Sequence, residues 1–169
     1  MQIIKFFILL LIFLSSTYIG VLVSKKYINR VKDLREIKTA LNIFETKIKF
    51  TYEPIPQVFK DISNKLKPNI SNMFLIASNK MKDSNAGDAW IYALDKSNTN
   101  LTKEDIETLK GLGNLLGKVN AEGQISEIEL IDSFLDNQIE SAEQDKLKYM
   151  KMYKTLGISI GLAMVIILI

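Results

Sequence analysis

From Phe6 to Val23 the chain carries no charged residue, and a second apolar run, Leu156 to Ile169, closes it. The first run holds eighteen residues, which as a helix extend roughly 27 Å, enough to span a hydrocarbon core. The second is shorter, at fourteen residues. It reaches a useful length when Tyr153 and Lys154 sit at the interface and the lysine amine extends back to water. Its Leu, Ile and Val residues favour insertion by roughly 3–5 kcal/mol. Two membrane helices are therefore expected, one at each end of a middle segment that reads as soluble protein.

Lysines and arginines set the orientation. Lys25, Lys26, Arg30, Lys32 and Arg35 follow the first run, and Lys146, Lys148, Lys151 and Lys154 precede the second. The far sides offer only Lys5 and the α-amino group. Basic loops stay in the cytoplasm, so the middle segment is expected there, with both termini outside. A cleaved secretory signal is the competing reading: Lys5, an apolar core to Leu14, then Ser15, Ser16 and Thr17. Apolar residues resume at Tyr18, longer than a signal core, and cleavage would leave the second helix with its basic flank outside. The expected organisation is a transmembrane helix at 1–24, a cytoplasmic helical bundle at 25–152 and a transmembrane helix at 153–169.

Composition removes most catalytic chemistry. The chain has neither cysteine nor histidine, so it lacks thiolate ligands and nucleophiles, the commonest general base and the commonest metal ligand. A net charge of +3 over 169 residues is too small to argue for a nucleic-acid partner. No enzyme activity, cofactor or metal is expected.

Between residues 27 and 150 the apolar spacing is helical, with no alternating strand pattern. Val31, Leu34, Ile37, Leu41, Phe44 and Ile48 form one stripe that Pro54 and Pro56 end. Two short helices follow, one with Val58, Phe59, Ile62 and Leu66, the next with Ile70, Met73, Phe74, Ala77 and Met81, and Pro68 suits the first turn of the latter. A fourth helix starts near Ser84–Asn85 and buries Ala86, Ala89, Trp90, Ala93 and Leu94. Thr102 with Asp105 opens a fifth, which Gly117 stops. Ser126 with Glu129 forms a capping box for the last helix, lined by Ile128, Ile131, Leu135, Ile139 and Ala142. The fold class is thus all-α: a six-helix bundle flanked by N-terminal and C-terminal transmembrane helices. Leu34, Leu41, Phe44, Trp90, Leu112, Ile131 and Leu135 are its expected core.

Three features bear on function. Gly113 to Val119 superficially has the look of a phosphate-binding loop, but Leu112 occupies the first glycine position, Val119 replaces the hydroxyl residue, and a helix rather than a strand precedes it. Gly111, Gly113 and Gly117 read instead as close packing and a helix stop. Glu129, Asp132, Asp136, Glu140 and Glu143 step along one face of the last helix. Such a stripe is ordinarily solvated; its sharper readings are a docking face for a basic partner or a pairing face for Arg35 and Lys38. Gly157 and Gly161 form a small-x-x-x-small motif, matched by Ser16 and Gly20, and small residues let helices approach closely in lipid. The spacing serves equally for pairing the two spans or for pairing with another membrane protein.

Order and spacing also carry a family resemblance over essentially the whole chain. Asp33-Leu34-Arg35, Ala40-Leu41, Glu45, Ile48 and Tyr52 with Pro54 and Pro56 behind them resemble the stage III sporulation protein AB family. So do Ala89 to Leu94, the Leu112-Gly113 and Leu116-Gly117 pairs, Gln124 and the apolar C-terminal end. That family looks like the cytoplasmic helical domains of inner-membrane platform proteins of type II secretion and type IV pilus machines. The resemblance implies a non-enzymatic scaffold in the mother cell–forespore channel of endospore formation. It would lie in the outer forespore membrane, its domain facing the mother-cell cytoplasm. Its partners would be the lipid bilayer, a secretion-type ATPase (stage III sporulation protein AA) and other channel subunits, with the acidic stripe and the Ser97–Asn100 loop as candidate contacts. Many secretion platforms carry two such domains and three spans, so one domain with two spans points to a homo-oligomer. The alternative function is a membrane-anchored helical regulator or sensor with no ATPase partner.

Overall fold

A computed structural model describes residues 2–51, 53–117 and 121–168. Among them the chain is all-α, with six helices and no strand: α1 (Gln2–Phe50), α2 (Ile55–Ser63), α3 (Pro68–Lys80), α4 (Ala86–Lys96), α5 (Lys103–Leu115) and α6 (Ala121–Leu168). By packing the chain divides into two compact units. One comprises Met1–Val31 with Ser141–Ile169, and the other is Lys32–Glu140.

In the second unit the helix boundaries follow local chemistry. Pro54 is the N-cap of α2 and Pro56 lies in its first turn, where a missing N–H costs nothing. Pro68 is the first residue of α3, and the Lys67 amide before it donates to Glu36 Oε1 of α1 at 2.8 Å. Asn85 caps α4 by accepting from the Asp88 amide at 2.8 Å. The α5 capping box is complete: the Thr102 amide donates to Asp105 Oδ2 at 2.8 Å, and the Asp105 amide to Thr102 Oγ1 at 3.2 Å. Beyond α5, Gly117 adopts φ +73°, a left-handed conformation that suits a residue without Cβ.

One expected boundary is corrected. The last helix starts at Ala121, not at Ser126, so the Ser126/Glu129 pair lies inside α6. Glu122 lies in the first turn, where a carboxylate complements the positive end of the helix dipole, and Ile125 is half-buried in the extra turn. A serine three residues before a glutamate is compatible with a helix interior, and the added packing decides against a start there.

The core of this unit fills from every helix. Leu34, Leu41, Phe44, Trp90, Leu112, Ile131 and Leu135 are all buried, joined by Ile37, Phe59, Phe74 and Leu109. Phe59 is the hub of an edge-to-face aromatic cluster, with ring centroids 5.1 Å from Phe44, 5.1 Å from Phe74 and 5.6 Å from Trp90. Trp90 buries its indole completely and satisfies its N–H by donating to the Leu109 carbonyl at 2.7 Å. Ile48, Leu66, Met81, Ala86 and Ile139, expected on apolar faces, are half-buried.

The first unit consists of the opening part of α1 and the closing part of α6. Both helices are long and apolar enough to cross a membrane, and only 6 % and 11 % of their most apolar windows are buried. Phe6, Phe7, Leu11, Tyr18 and Ile19 on one, and Ile160, Leu162, Ile166 and Ile167 on the other, face outward. Outward-facing apolar side chains without a protein core to enter are what lipid solvates.

Candidate functional site

The backbone contact in the first unit is built from the small residues. Ser16 Oγ donates to the Gly157 carbonyl at 2.8 Å. A Cβ on Gly20 would fall 2.6 Å from the Tyr153 carbonyl, and one on Gly157 would fall 3.0 Å from both Gly20 Cα and the Ser16 carbonyl. A Cβ on Gly161 would lie 3.0 Å from the Phe13 ring and 3.3 Å from Ser16 Cβ. Ser16, Gly20, Gly157 and Gly161 are therefore brought together, with the two apolar segments packed on each other. Toward the basic flank, Tyr27 stacks on Tyr149 and Tyr153 at centroid distances of 5.1 and 5.8 Å, and Arg30 pairs with Asp145 at 3.2 Å. Lys25, Lys26, Lys148, Lys151 and Lys154 are exposed around these rings.

Of the α5 glycines only Gly113 serves close packing, since a Cβ on Gly111 would make just an ordinary contact, 3.5 Å from Glu127 Oε1. A Cβ on Gly87 of α4 would meet the Gly113 carbonyl at 2.0 Å, and one on Gly113 would approach Trp90 Cδ1 to 3.2 Å. Gly113 thus sits at a tight helix crossing. Lys118 and Val119 lie outside the described residues. Among the described residues no group of histidine, cysteine, aspartate and glutamate side chains is arranged to hold a metal ion.

The acidic stripe is partly engaged within the fold. Lys38 Nζ of α1 donates to Asp132 Oδ2 at 2.9 Å and to Asp136 Oδ1 at 2.6 Å. Burial opposes charge on Lys38, but the hydrogen bonds to Asp136 and Asp132 outweigh it and raise its pKa. A raised lysine contributes stability that is full below about pH 10.4 and lost only as pH climbs through the folded pKa, so the clamp is closed at neutral pH. Glu129 reaches Lys49 at 3.8 Å. Glu140 is exposed. Asn100, in the Ser97–Asn100 loop, is tied back to α1: its amide and its Nδ2 both donate to Asp33 Oδ2 at 2.9 Å. Asn98 stays exposed.

A groove between α5 and α6 was not anticipated from the sequence. It encloses about 480 Å³ and is lined by Glu104, Glu107, Gly111, Glu127, Phe134 and Gln138, among others. Gln138 is nine-tenths buried; its Nε2 donates to Thr108 Oγ1 at 2.8 Å and faces the Glu104 carbonyl at 3.5 Å. Leu130 and Phe134, four apart on α6, remain about half exposed beside it. That pair on an otherwise polar face was the available signal; the contribution of α5 was not visible in the chain.

Comparisons with known proteins agree with one another. The family model described as stage III sporulation protein AB matches residues 5–169. A curated relative, stage III sporulation protein AB of Bacillus subtilis (strain 168), is 29 % identical over 161 residues, covering 93 % of this chain and 94 % of that one. A solved structure of stage III sporulation protein AB (SpoIIIAB) superposes with a TM-score of 0.65 at 25 % identity, over 71 % of this chain and 98 % of that chain.

Proposed function

The chain belongs to the stage III sporulation protein AB family, and from that premise we propose that it is a non-enzymatic membrane platform of the channel between mother cell and forespore. The family carries a role in sporulation. In this reading the helical unit faces the mother-cell cytoplasm from the outer forespore membrane and couples a secretion-type ATPase, stage III sporulation protein AA, to the other channel subunits. The observation that carries it is that α1 and α6 each contain both core residues of the bundle and an apolar run able to cross a membrane. A domain held by membrane helices at both ends is suited to resist or pass on force from a cytoplasmic motor. The ring of exposed lysines beside the Tyr27 stack supports the cytoplasmic orientation.

Orientation has a direct test. The native chain lacks cysteine, so Asn98→Cys supplies a single reporter on an exposed loop. A membrane-impermeant maleimide added to intact sporangial protoplasts should leave it unlabelled, and permeabilisation should expose it. Labelling before permeabilisation would place the domain outside and end the platform reading. The partner has its own test: the full chain, purified in detergent from sporulating cells, should retain the AA ATPase. Glu129→Lys with Glu140→Lys should reduce the retained ATPase at least fivefold if the acidic stripe is the contact. These two positions are preferred because Asp132 and Asp136 hold Lys38 inside the fold. Absence of the ATPase from the native chain's complexes would favour the regulator or sensor.

A further inference from the structure

We propose that the α5/α6 groove is a docking site for a basic segment of a partner protein that inserts an aliphatic or aromatic side chain between flanking lysines or arginines. The inference deepens the platform reading and rests on it for the expectation that a protein partner exists.

Three independent observations converge on the groove. The first is charge: Glu104, Glu107 and Glu127 line it. Glu107 is partly neutralised by Lys110 at 3.1 Å. Among the described residues the Glu104 and Glu127 carboxylates have no ionic partner. Two unpaired carboxylates in one concavity set a negative field that attracts cations and rejects acidic segments.

The second is an apolar contact. Phe134 lines the groove and is 48 % exposed, and Leu130 is 49 % exposed one turn away. An aromatic side chain at the edge of a charged concavity is the arrangement that anchors partners, since it offers a large area at small entropic cost.

The third is an unsatisfied acceptor. Gln138 lines the same groove and is 91 % buried by its 9 % exposure, yet its Oε1 accepts no hydrogen bond. The orientation of the amide is not arbitrary. The Thr108 hydroxyl donates to the Glu104 carbonyl at 3.1 Å, so it accepts from the Gln138 nitrogen at 2.8 Å and the Gln138 oxygen is the atom left without a partner. That oxygen is itself closed to solvent, so a partner N–H meets it only when the Gln138 side chain turns toward the groove, which would recover the cost of the unpaired acceptor. Acidic rim, exposed aromatic and waiting acceptor together describe a donor-rich, cationic, partly apolar ligand, and a basic amphipathic peptide segment meets all three conditions. A second copy of this chain and a lipid are the competing occupants.

The test replaces Phe134 with photoreactive benzoylphenylalanine in the full chain, expressed in sporulating cells, with Tyr92 on α4 as the control position because it is exposed to a similar degree, 44 %. After irradiation the adduct is digested and the attached peptide sequenced. The expected product at position 134 is a lysine- or arginine-rich peptide of a different protein, absent at position 92. Glu104→Gln with Glu127→Gln should lower its yield about tenfold, whereas Asp83→Asn with Glu122→Gln, both exposed and outside the groove and the acidic stripe, should leave it unchanged. An adduct with a second copy, a lipid or a peptide lacking basic residues overturns the proposal, as does no adduct or a yield indifferent to Glu104 and Glu127. The platform reading fails separately. If the native chain retains the ATPase while position 134 yields no adduct, only the groove is excluded. If position 134 captures a basic peptide and no ATPase is retained, only the platform reading is excluded.

Discussion

Trp90→Ala should destabilise the helical bundle by about 3–5 kcal/mol, the range for removing a large buried aromatic from a packed core. Three losses combine. Trp90 is fully buried, and truncation opens a void among Phe59, Phe74 and the α5 contact. The edge-to-face contact with Phe59 at 5.6 Å and the tilted contact with Phe74 at 5.3 Å disappear. The Leu109 carbonyl also loses the indole donor at 2.7 Å. Trp90→Phe separates these terms, because it keeps most of the ring packing and removes the donor; its cost should be about 1–3 kcal/mol. Set against a total stability of about 5–15 kcal/mol for a domain, the alanine variant should leave a measurable unfolded fraction. Urea titration of the full chain in detergent, followed by circular dichroism and by amide exchange of α4 and α5, reads both effects. A loss below about 1 kcal/mol, the level of ordinary surface changes, would contradict a core role for Trp90.

Gly157→Ile should separate the two apolar segments of the first unit. An added Cβ would meet backbone on the opposite helix at 3.0 Å, at Gly20 Cα and at the Ser16 carbonyl. Backbone, unlike a long side chain, cannot rotate away, so the helices must move apart and lose the Ser16–Gly157 hydrogen bond of 2.8 Å. In lipid the loss is set by close packing and hydrogen bonding, with no hydrophobic force between the helices to offset it. Ser16→Cys with Gly161→Cys makes the distance readable: the Cβ positions lie 3.3 Å apart, near the separation of about 3.5–4.5 Å that a disulfide requires. The pair should oxidise readily in membranes. Ser16→Cys already removes the hydroxyl donor, so adding Gly157→Ile tests the backbone clash alone and should cut the cross-linked yield at least tenfold, a shift of about 1.4 kcal/mol. Ile158→Val, on the lipid-facing side, should leave it unchanged. Equal cross-linking in the isoleucine variant would mean that the two spans do not meet at Gly157.

Much of the architecture is encoded locally and could be read along the chain. Pro54 and Pro68 at helix starts, the Thr102/Asp105 capping box and the left-handed Gly117 each act through their own few residues. The apolar stripe of α1 needs only the helical period to be recognised, and Leu34, Leu41 and Phe44 are buried where that period places them. The end runs are equally direct, since hydropathy and length are properties of a segment by itself. The Ser126/Glu129 pair marks the edge of this legibility: a local motif was present, but packing of Ile125 and a favourable first turn moved the start to Ala121.

What the bundle does with its polar residues depended on pairings distant in sequence. Lys38 reaches Asp132 across 94 positions and closes part of a stripe that looks open on a helical projection. Gly87 and Gly113 meet at a crossing that no single-helix pattern specifies. At the α5/α6 groove Gln138 reaches Thr108 across 30 positions and leaves its oxygen unpaired. Fold class, the helix limits other than the start of α6, and the long apolar end segments thus follow from the sequence alone, because short-range sterics, capping and transfer of side chains out of water act within one element. Which carboxylates are consumed and which stay open was decided only by tertiary structure, because a charge is satisfied or exposed according to the neighbour that another helix brings within about 3 Å.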